Sequence, residues 1–321
     1  MEWQNRFTKL EINSNDALPD VIISNLHSWK SISVTGEDQL SYLQGQLTCD
    51  VVSLGKERSS LGAHCDAKGK VLSIFRCFHH KNNISLIQHA STIETSFKEI
   101  KKYSVFSKVD ISISQEIVLA IIGTKAEQTV NDLTSERGDV RTITGGTVVK
   151  VDDQRWLVLI DEDSLSPLLD SLNHAVFADQ DIWDKLDIES ATPRIVESVQ
   201  NSQIPQAFNL QAIGGISFTK GCYTGQETVA RAKYRGTNKR YMAIVKGVLD
   251  KAPNCKLELE RSVGENWRNL GSLFVQYHYA DGVTIGLIIL PNNLEPDTQL
   301  RVVDQPNSQW QIEALPYSLE D

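Results

Sequence analysis

The run Lys220-Gly221-Cys222-Tyr223-Thr224-Gly225-Gln226-Glu227 gathers a thiol, two glycines, an ammonium and a carboxylate into one short stretch. Glycine reaches φ > 0 and lets a ligand or a second segment approach its backbone closely. Gly221 and Gly225 therefore predict that Cys222 sits on a tight turn and not inside a helix. Lys220, with Arg231 and Lys233 further on, places positive charge near the thiol, which favours the thiolate, the form that acts as nucleophile or metal ligand. Cys222 is the candidate reactive group, and Lys220, Gly221, Tyr223, Gly225, Gln226 and Glu227 are its setting. The alternative is a small buried hydrophobe in a glycine-rich turn.

Downstream, Arg231, Lys233, Arg235, Lys239 and Arg240 crowd cations around Gly236, and the segment reads as a basic, turn-like linker. Guanidinium groups hold carboxylates and phosphates bidentately, so Arg231, Lys233 and Arg235 are candidate anion-binding residues, with a solvated basic loop as the alternative. Asp66, Lys68 and Lys70 read as a solvated turn. His64 and Cys65 are sequence neighbours and point to opposite faces of a strand, so they do not form a thiol and imidazole pair. His79 and His80 have no partner at ligand spacing.

Five cysteines, Cys49, Cys65, Cys77, Cys222 and Cys255, are scattered with no CxxC pair, which suggests neither a disulfide framework nor a zinc site. A reducing cytoplasm is the expected compartment, and no metal site is expected within the chain. One thiol alone does not hold an iron-sulphur cluster, which takes four. The net charge of −9 argues against broad nucleic-acid binding, which rests on neutralising phosphates; any RNA contact must be local. The first ten residues lack the apolar centre of a secretory signal. The longest purely apolar run, residues 117–122, is too short to span a bilayer.

At 321 residues the chain exceeds one ordinary core and predicts two or three domains. Residues 31–35 alternate as a strand; Gly36 breaks it, and Glu37 and Asp38 open a short helix with Leu40, Leu43 and Leu47 on one face, ended by Gly45. Residues 59–65 and 71–78 flank Asp66-Ala67-Lys68-Gly69, the residue types of a hairpin turn. A strand over 84–88 follows. Ser91 and Glu94 form a capping-box pattern for a helix with Ile93, Phe97 and Ile100 inward, and a strand over 109–113 closes this α+β unit. Strands over 117–122, 147–151 and 156–160, with helices over 125–133 and 164–172, make a second one. A helix over 181–190 is stopped by Thr192-Pro193. Beyond Tyr241, short apolar runs over 242–248, 256–259, 271–277, 284–290 and 298–303 predict a small antiparallel barrel or sandwich. The expected division is 1–50 with 115–235, then 51–114, then 236–321: an α+β fold ending in a β-barrel.

The run from Ile204 to Arg240, built on Lys220 to Glu227, closely resembles the signature of the YgfZ family. Tyr42-Leu43-Gln44-Gly45-Gln46-Leu47-Thr48, Ala63-His64-Cys65-Asp66-Ala67-Lys68-Gly69-Lys70, Lys102-Tyr103-Ser104-Val105-Phe106-Ser107-Lys108-Val109 and Leu315-Pro316-Tyr317-Ser318-Leu319-Glu320 carry the likeness to the rest of the chain. The resemblance implies a folate-binding (tetrahydrofolate-binding) accessory protein acting in tRNA modification, such as methylthiolation, through assembly, repair or maintenance of iron-sulphur enzymes. Those enzymes would be its partners, without a membrane and without direct nucleic-acid binding. It also implies three domains around a central folate channel, the arrangement of folate-dependent aminomethyltransferases, whose one-carbon transfer is the alternative activity. Trp29 and Trp183 match the family's folate-contacting tryptophans; each offers a flat apolar ring and one N–H, suited to walling a flat pterin. Glu189 is similar to an acidic helix residue that reaches the pterin in aminomethyltransferases, and otherwise reads as a solvated helix-end charge.

Overall fold

The computed structural model describes residues 2–251, 256–295 and 298–319; Cys255 and Glu320 lie outside the described residues. Three sheets are laid down in turn. Strand β1 (Ile22–Asn25) is fully buried and starts the first of them. The chain then leaves to build a second, antiparallel sheet from β2 (Trp29–Thr35), helix α1 (Gln39–Gln44), β3 (Ser59–Cys65), β4 (Val71–His80), β5 (Asn83–His89), α2 (Ile93–Lys101) and β6 (Asp110–Ile113), in the order β3-β4-β5-β2-β6. Strand β2, grouped by the sequence with the first unit, belongs to this second sheet, and helix α1, grouped likewise, packs on it.

Gly45 caps α1 as expected. The β3–β4 turn closes through Asp66, whose Oδ1 accepts from the amides of Lys68 and Lys70, and through Gly69 at φ 76°. The expected capping box does not form. A 3-10 turn over Ala90–Thr92 intervenes, the Ser91 amide is accepted by the His89 ring, and α2 begins at Ile93 without a side-chain cap.

The first sheet resumes with β7 (Ile117–Ile122), α3 (Ala126–Leu133), β8 (Val140–Ile143), β9 (Gly146–Asp152), β10 (Arg155–Ile160), α4 (Glu162–Ser171), β11 (Val176–Ala178) and α5 (Asp181–Glu189). Its order is β11-β1-β7-β10-β9-β8, antiparallel except for the β1–β11 pair. Alternation along β7 has a plain outcome: Leu119 and Ile121 pack under α3 and α4, while Val118, Ala120 and Ile122 face the other way.

Helix α6 (Gln226–Arg235) leads into β12 (Arg240–Val248), β13 (Glu258–Val263), β14 (Asn266–Ser272), β15 (Val275–His278), β16 (Val283–Pro291), β17 (Leu300–Val302) and β18 (Gln305–Glu313). These form one curled antiparallel sheet, β14-β13-β17-β18-β12-β16-β15. The run over 271–277 is two strands, separated at Leu273 and Phe274 after Gly271 turns to φ 125°. Each sheet has a core of its own, and the largest core is shared by all three, from Ile22 and Ala120 through Ala63 and Ile87 to Met242 and Ile285. Among the described residues no helix is long and apolar enough to cross a membrane.

Candidate functional site

Trp29 opens β2 and Trp183 lies in the first turn of α5, and the structure brings them together with ring centroids 6.3 Å apart at 80°. Around them lies a narrow slot walled by Leu61, Ile74, Phe75, Ile87, Val151 and Leu157, with Arg76, Asp187, Thr192 and Pro193 along one side. Both indole N–H groups are buried without a hydrogen-bond acceptor among the described residues. Such groups are rare, because desolvating a donor without a partner costs about 1–3 kcal/mol.

The polar side of the slot is a buried charge network. Arg155, 2% exposed, donates from Nε to Asp152 (2.7 Å), from Nη1 to Asp187 Oδ1 (2.7 Å) and from Nη2 to Ser190 Oγ (2.9 Å), with its guanidinium 5.0 Å from the centre of the Trp183 ring. Arg194 donates to Asp184 (2.5 Å) and lies 5.7 Å from the centre of the Trp29 ring. Burial pushes Asp184 above the usual carboxylate range against the pull of Arg194. It also lowers Arg76 to about 10, helped by Arg155. Two polar atoms of this network are left without a hydrogen bond: Asp187 Oδ2, 4.0 Å from Arg194 Nη1, and Arg194 Nη2. The slot wall thus carries a carboxylate oxygen and two indole N–H groups, buried and unsatisfied, and an unsatisfied Arg194 N–H lies near it, beside Trp29.

Asp187, Arg155, Arg194 and Arg76 were not found by reading the sequence. Asp187 carried a usable signal, since it follows Trp183 by four residues and so shares its helix face. Glu189, six residues on, falls on another face, where it is exposed and held by Lys185 (2.7 Å) and the Tyr279 hydroxyl (2.9 Å).

The Cys222 segment lies elsewhere, and none of its residues lines the slot. Three stretches distant in sequence meet there. Thr224 N donates to Gly45 O (3.1 Å), Lys220 Nζ donates to Leu47 O (2.7 Å) and Cys49 O (2.8 Å), and Gly225 abuts the β3–β4 turn. A Cβ on Gly225 would stand 2.5 Å from Asp66 O and 2.8 Å from Gly69 Cα, and its φ is 82°. Gly221 has open space around it. Tyr223 is buried, its amide donating to Gln226 Oε1 (3.1 Å), and burial raises its hydroxyl. Cys222 itself is exposed.

The expectation that nearby cations are set on this thiol is corrected. Burial lowers Lys220 to about 8, against the pull of Cys49, Asp50 and Cys77, and its ammonium fastens the segment to the residues after α1. Arg231 pairs with Glu227 (2.5 Å), and Lys233 lies over the Phe218 ring (4.4 Å). The basic stretch is also not a loop throughout, and only 236–239 lacks regular structure. Gln226–Arg235 is helix α6, with Val229 and Ala232 buried and Gly236 closing it in the left-handed conformation. Arg231, Lys233 and Arg235 do not line the tryptophan slot.

Comparison with known proteins agrees with this architecture. The family description "YgfZ, beta-barrel domain" matches residues 238–305. "tRNA-modifying protein YgfZ" of Vibrio atlanticus is 50% identical over the whole of both chains. The protein of the same name from Escherichia coli O127:H6 is 39% identical over 93% of this chain and 94% of its own. The chain belongs to the YgfZ family. For this YgfZ-family chain the fold extends further than the sequence likeness. The crystal structure of glycine cleavage system aminomethyltransferase T from Bartonella henselae matches with a TM-score of 0.73, covering 92% of this chain and 86% of that one at 12% identity. The architecture is therefore that of aminomethyltransferase T, an α+β fold with a curled C-terminal sheet.

Proposed function

We propose that this chain is a tetrahydrofolate-binding accessory protein of tRNA modification, with the pterin held in the tryptophan slot and Cys222 as a working thiol presented to iron-sulphur enzymes. The observation that carries the folate half is the set of three unsatisfied atoms on slot-lining residues, Trp29 Nε1, Trp183 Nε1 and Asp187 Oδ2, with Arg194 Nη2 nearby. A pterin is flat, which suits the indole walls, and its aminopyrimidine edge carries adjacent N–H donors beside a carbonyl acceptor. Asp187 Oδ2 is an acceptor without a donor, and Arg194 Nη2 is a donor without an acceptor. The shared fold of aminomethyltransferase T and the name of the relatives support the two halves of this reading.

Cys222 supports the second half through its exposure at the end of a segment fixed on both sides. Iron-sulphur clusters would be cargo or substrate of partner enzymes. Among the described residues no three His, Cys, Asp or Glu side chains converge on a metal site. We further propose that the three sheets are three domains, with β2 and α1 in the second.

Calorimetric titration with tetrahydrofolate tests the folate half. Wild type is expected to saturate and Asp187→Asn to bind at least tenfold more weakly, in line with the worth of a hydrogen bond to a charged group; equal affinity sinks the assignment. For the thiol half, Cys222→Ser is placed in cells lacking the wild-type copy and methylthiolated tRNA nucleosides are measured. Undiminished modification removes Cys222 from the mechanism.

A further inference from the structure

The tryptophan slot has a volume of about 30 Å³, room for about one water and far less than the fused rings of a pterin need. One wall must yield for the slot to fill. Of its described lining residues, all but two belong to a strand or to α5; Thr192 and Pro193 stand on irregular backbone just after the turn at Ala191. This wall is pinned from two sides. On the inside, the Thr192 amide donates to Asp187 O (2.8 Å), and the Ser190 and Thr192 hydroxyls lie 2.8 Å apart. On the other side, the Tyr317 hydroxyl, carried on the segment after β18, donates to Ala191 O (2.8 Å) and accepts from Asn209 Nδ2 (3.2 Å). Asn209 is clamped in turn to the carbonyl and amide of Met242 on β12 (2.7 and 3.0 Å). Burial pushes the Tyr317 hydroxyl up to about 12, so it stays a donor throughout the neutral range. The residue it holds, Ala191, has φ 46°, a left-handed conformation that residues other than glycine keep only where their surroundings impose it.

We propose that the 191–193 turn is the movable wall of the slot and that Tyr317 is the positioning residue that latches it, so that a flat bicyclic ligand enters as the hydroxyl lets go of Ala191 O. The strand-borne walls part only by breaking ladder hydrogen bonds. Opening the turn breaks the Tyr317 bond and relaxes the backbone of Ala191. With the latched form in the majority, affinity is reduced by the fraction of molecules that are open, and removing the latch should raise that fraction. The inference rests on the folate reading for the identity of the ligand; the latch itself rests on the hydrogen bonds and backbone of the turn.

The test compares the full chain with its Tyr317→Phe variant, which keeps the ring against the shared core and leaves Asn209 Nδ2 its acceptor on Met242. Hydrogen exchange read by mass spectrometry, with no ligand present, is expected to be about fivefold faster over 191–196, as loss of one hydrogen bond predicts, and unchanged in β4 and β10. In titration with tetrahydrofolate the variant is expected to bind about fivefold more tightly, although it melts lower. A tyrosine that only supported the fold would give equal or weaker binding. Two results overturn the proposal: unchanged exchange over 191–196, or faster exchange there with equal or weaker binding, which would make the latched turn the binding form. If neither protein binds tetrahydrofolate, the folate reading falls and the exchange rates alone decide for or against the latch.

Discussion

Trp183 is 2% exposed, flanked by a buried arginine, in a slot whose leftover hydrogen-bonding atoms have no access to water; Cys222 stands in solvent on a turn anchored by Lys220, Tyr223 and Thr224. The first region stores unmet polar demand beside a narrow slot of about 30 Å³, the pattern of a site that a ligand would complete as it parts the walls. The second spends its interactions on fixing a backbone and leaves one side chain free, the pattern of a group presented to another molecule. On the proposed reading, binding and presentation fall to different elements of this protein.

Substitutions should separate the two regions by size of effect. The largest loss of stability is expected for Asp187→Ala, about 4 kcal/mol by urea unfolding, because Arg155 would lose its one fully buried carboxylate partner and keep only the part-exposed Asp152. A loss below about 1 kcal/mol would mean that the network is solvated. Gly225→Ala comes next, at about 3 kcal/mol, from left-handed backbone together with a Cβ driven into Asp66 O and Gly69 Cα. Gly221→Ala, in open space, should stay within about 0.5 kcal/mol.

Acid should weaken the packing beneath both regions. Burial lowers His64, bridged to Leu47 next to the Cys222 segment, to about 4, and burial with Arg194 lowers His89, beside Trp29, to about 4. A histidine whose folded pKa lies below its unfolded value near 6.5 binds fewer protons when folded, so stability is full above 6.5 and falls as pH drops towards 4. Between pH 7 and 5 His64 alone should remove about 2 kcal/mol. His64→Gln should flatten the dependence of the urea midpoint on pH in that window; an unchanged slope would show that His64 is not the titrating group. The smallest effect belongs to Cys222→Ser, within about 0.5 kcal/mol of wild type, and a larger one would place the thiol in the packing.

Most of the fold was legible wherever apolar period and turn chemistry agreed. The β3–β4 hairpin follows from Asp66 and Gly69, and β7, β9 and β10 from β-branched runs bounded by polar turns. Strand β18 was missed because Gln305–Glu313 alternates polar with sparse apolar residues and takes its place only by pairing with β12 and β17. Helix α6 was read as a basic turn because charge and Gly236 outweighed a weaker signal, the apolar pair Val229 and Ala232 among good helix formers. In the site, the tryptophans and the cysteine segment were visible from residue type and resemblance. Arg155 and Arg194 were not, because their meaning depends on burial beside α5, which no local pattern encodes.

The most direct test follows tryptophan fluorescence during titration with tetrahydrofolate in wild type, Trp29→Phe, Trp183→Phe and Cys222→Ser. Saturable quenching is predicted for wild type and Cys222→Ser with equal affinity, and sharply weakened binding for both tryptophan variants. Binding that survives in the tryptophan variants and is lost in Cys222→Ser would contradict the account, moving the folate from the slot to the cysteine segment.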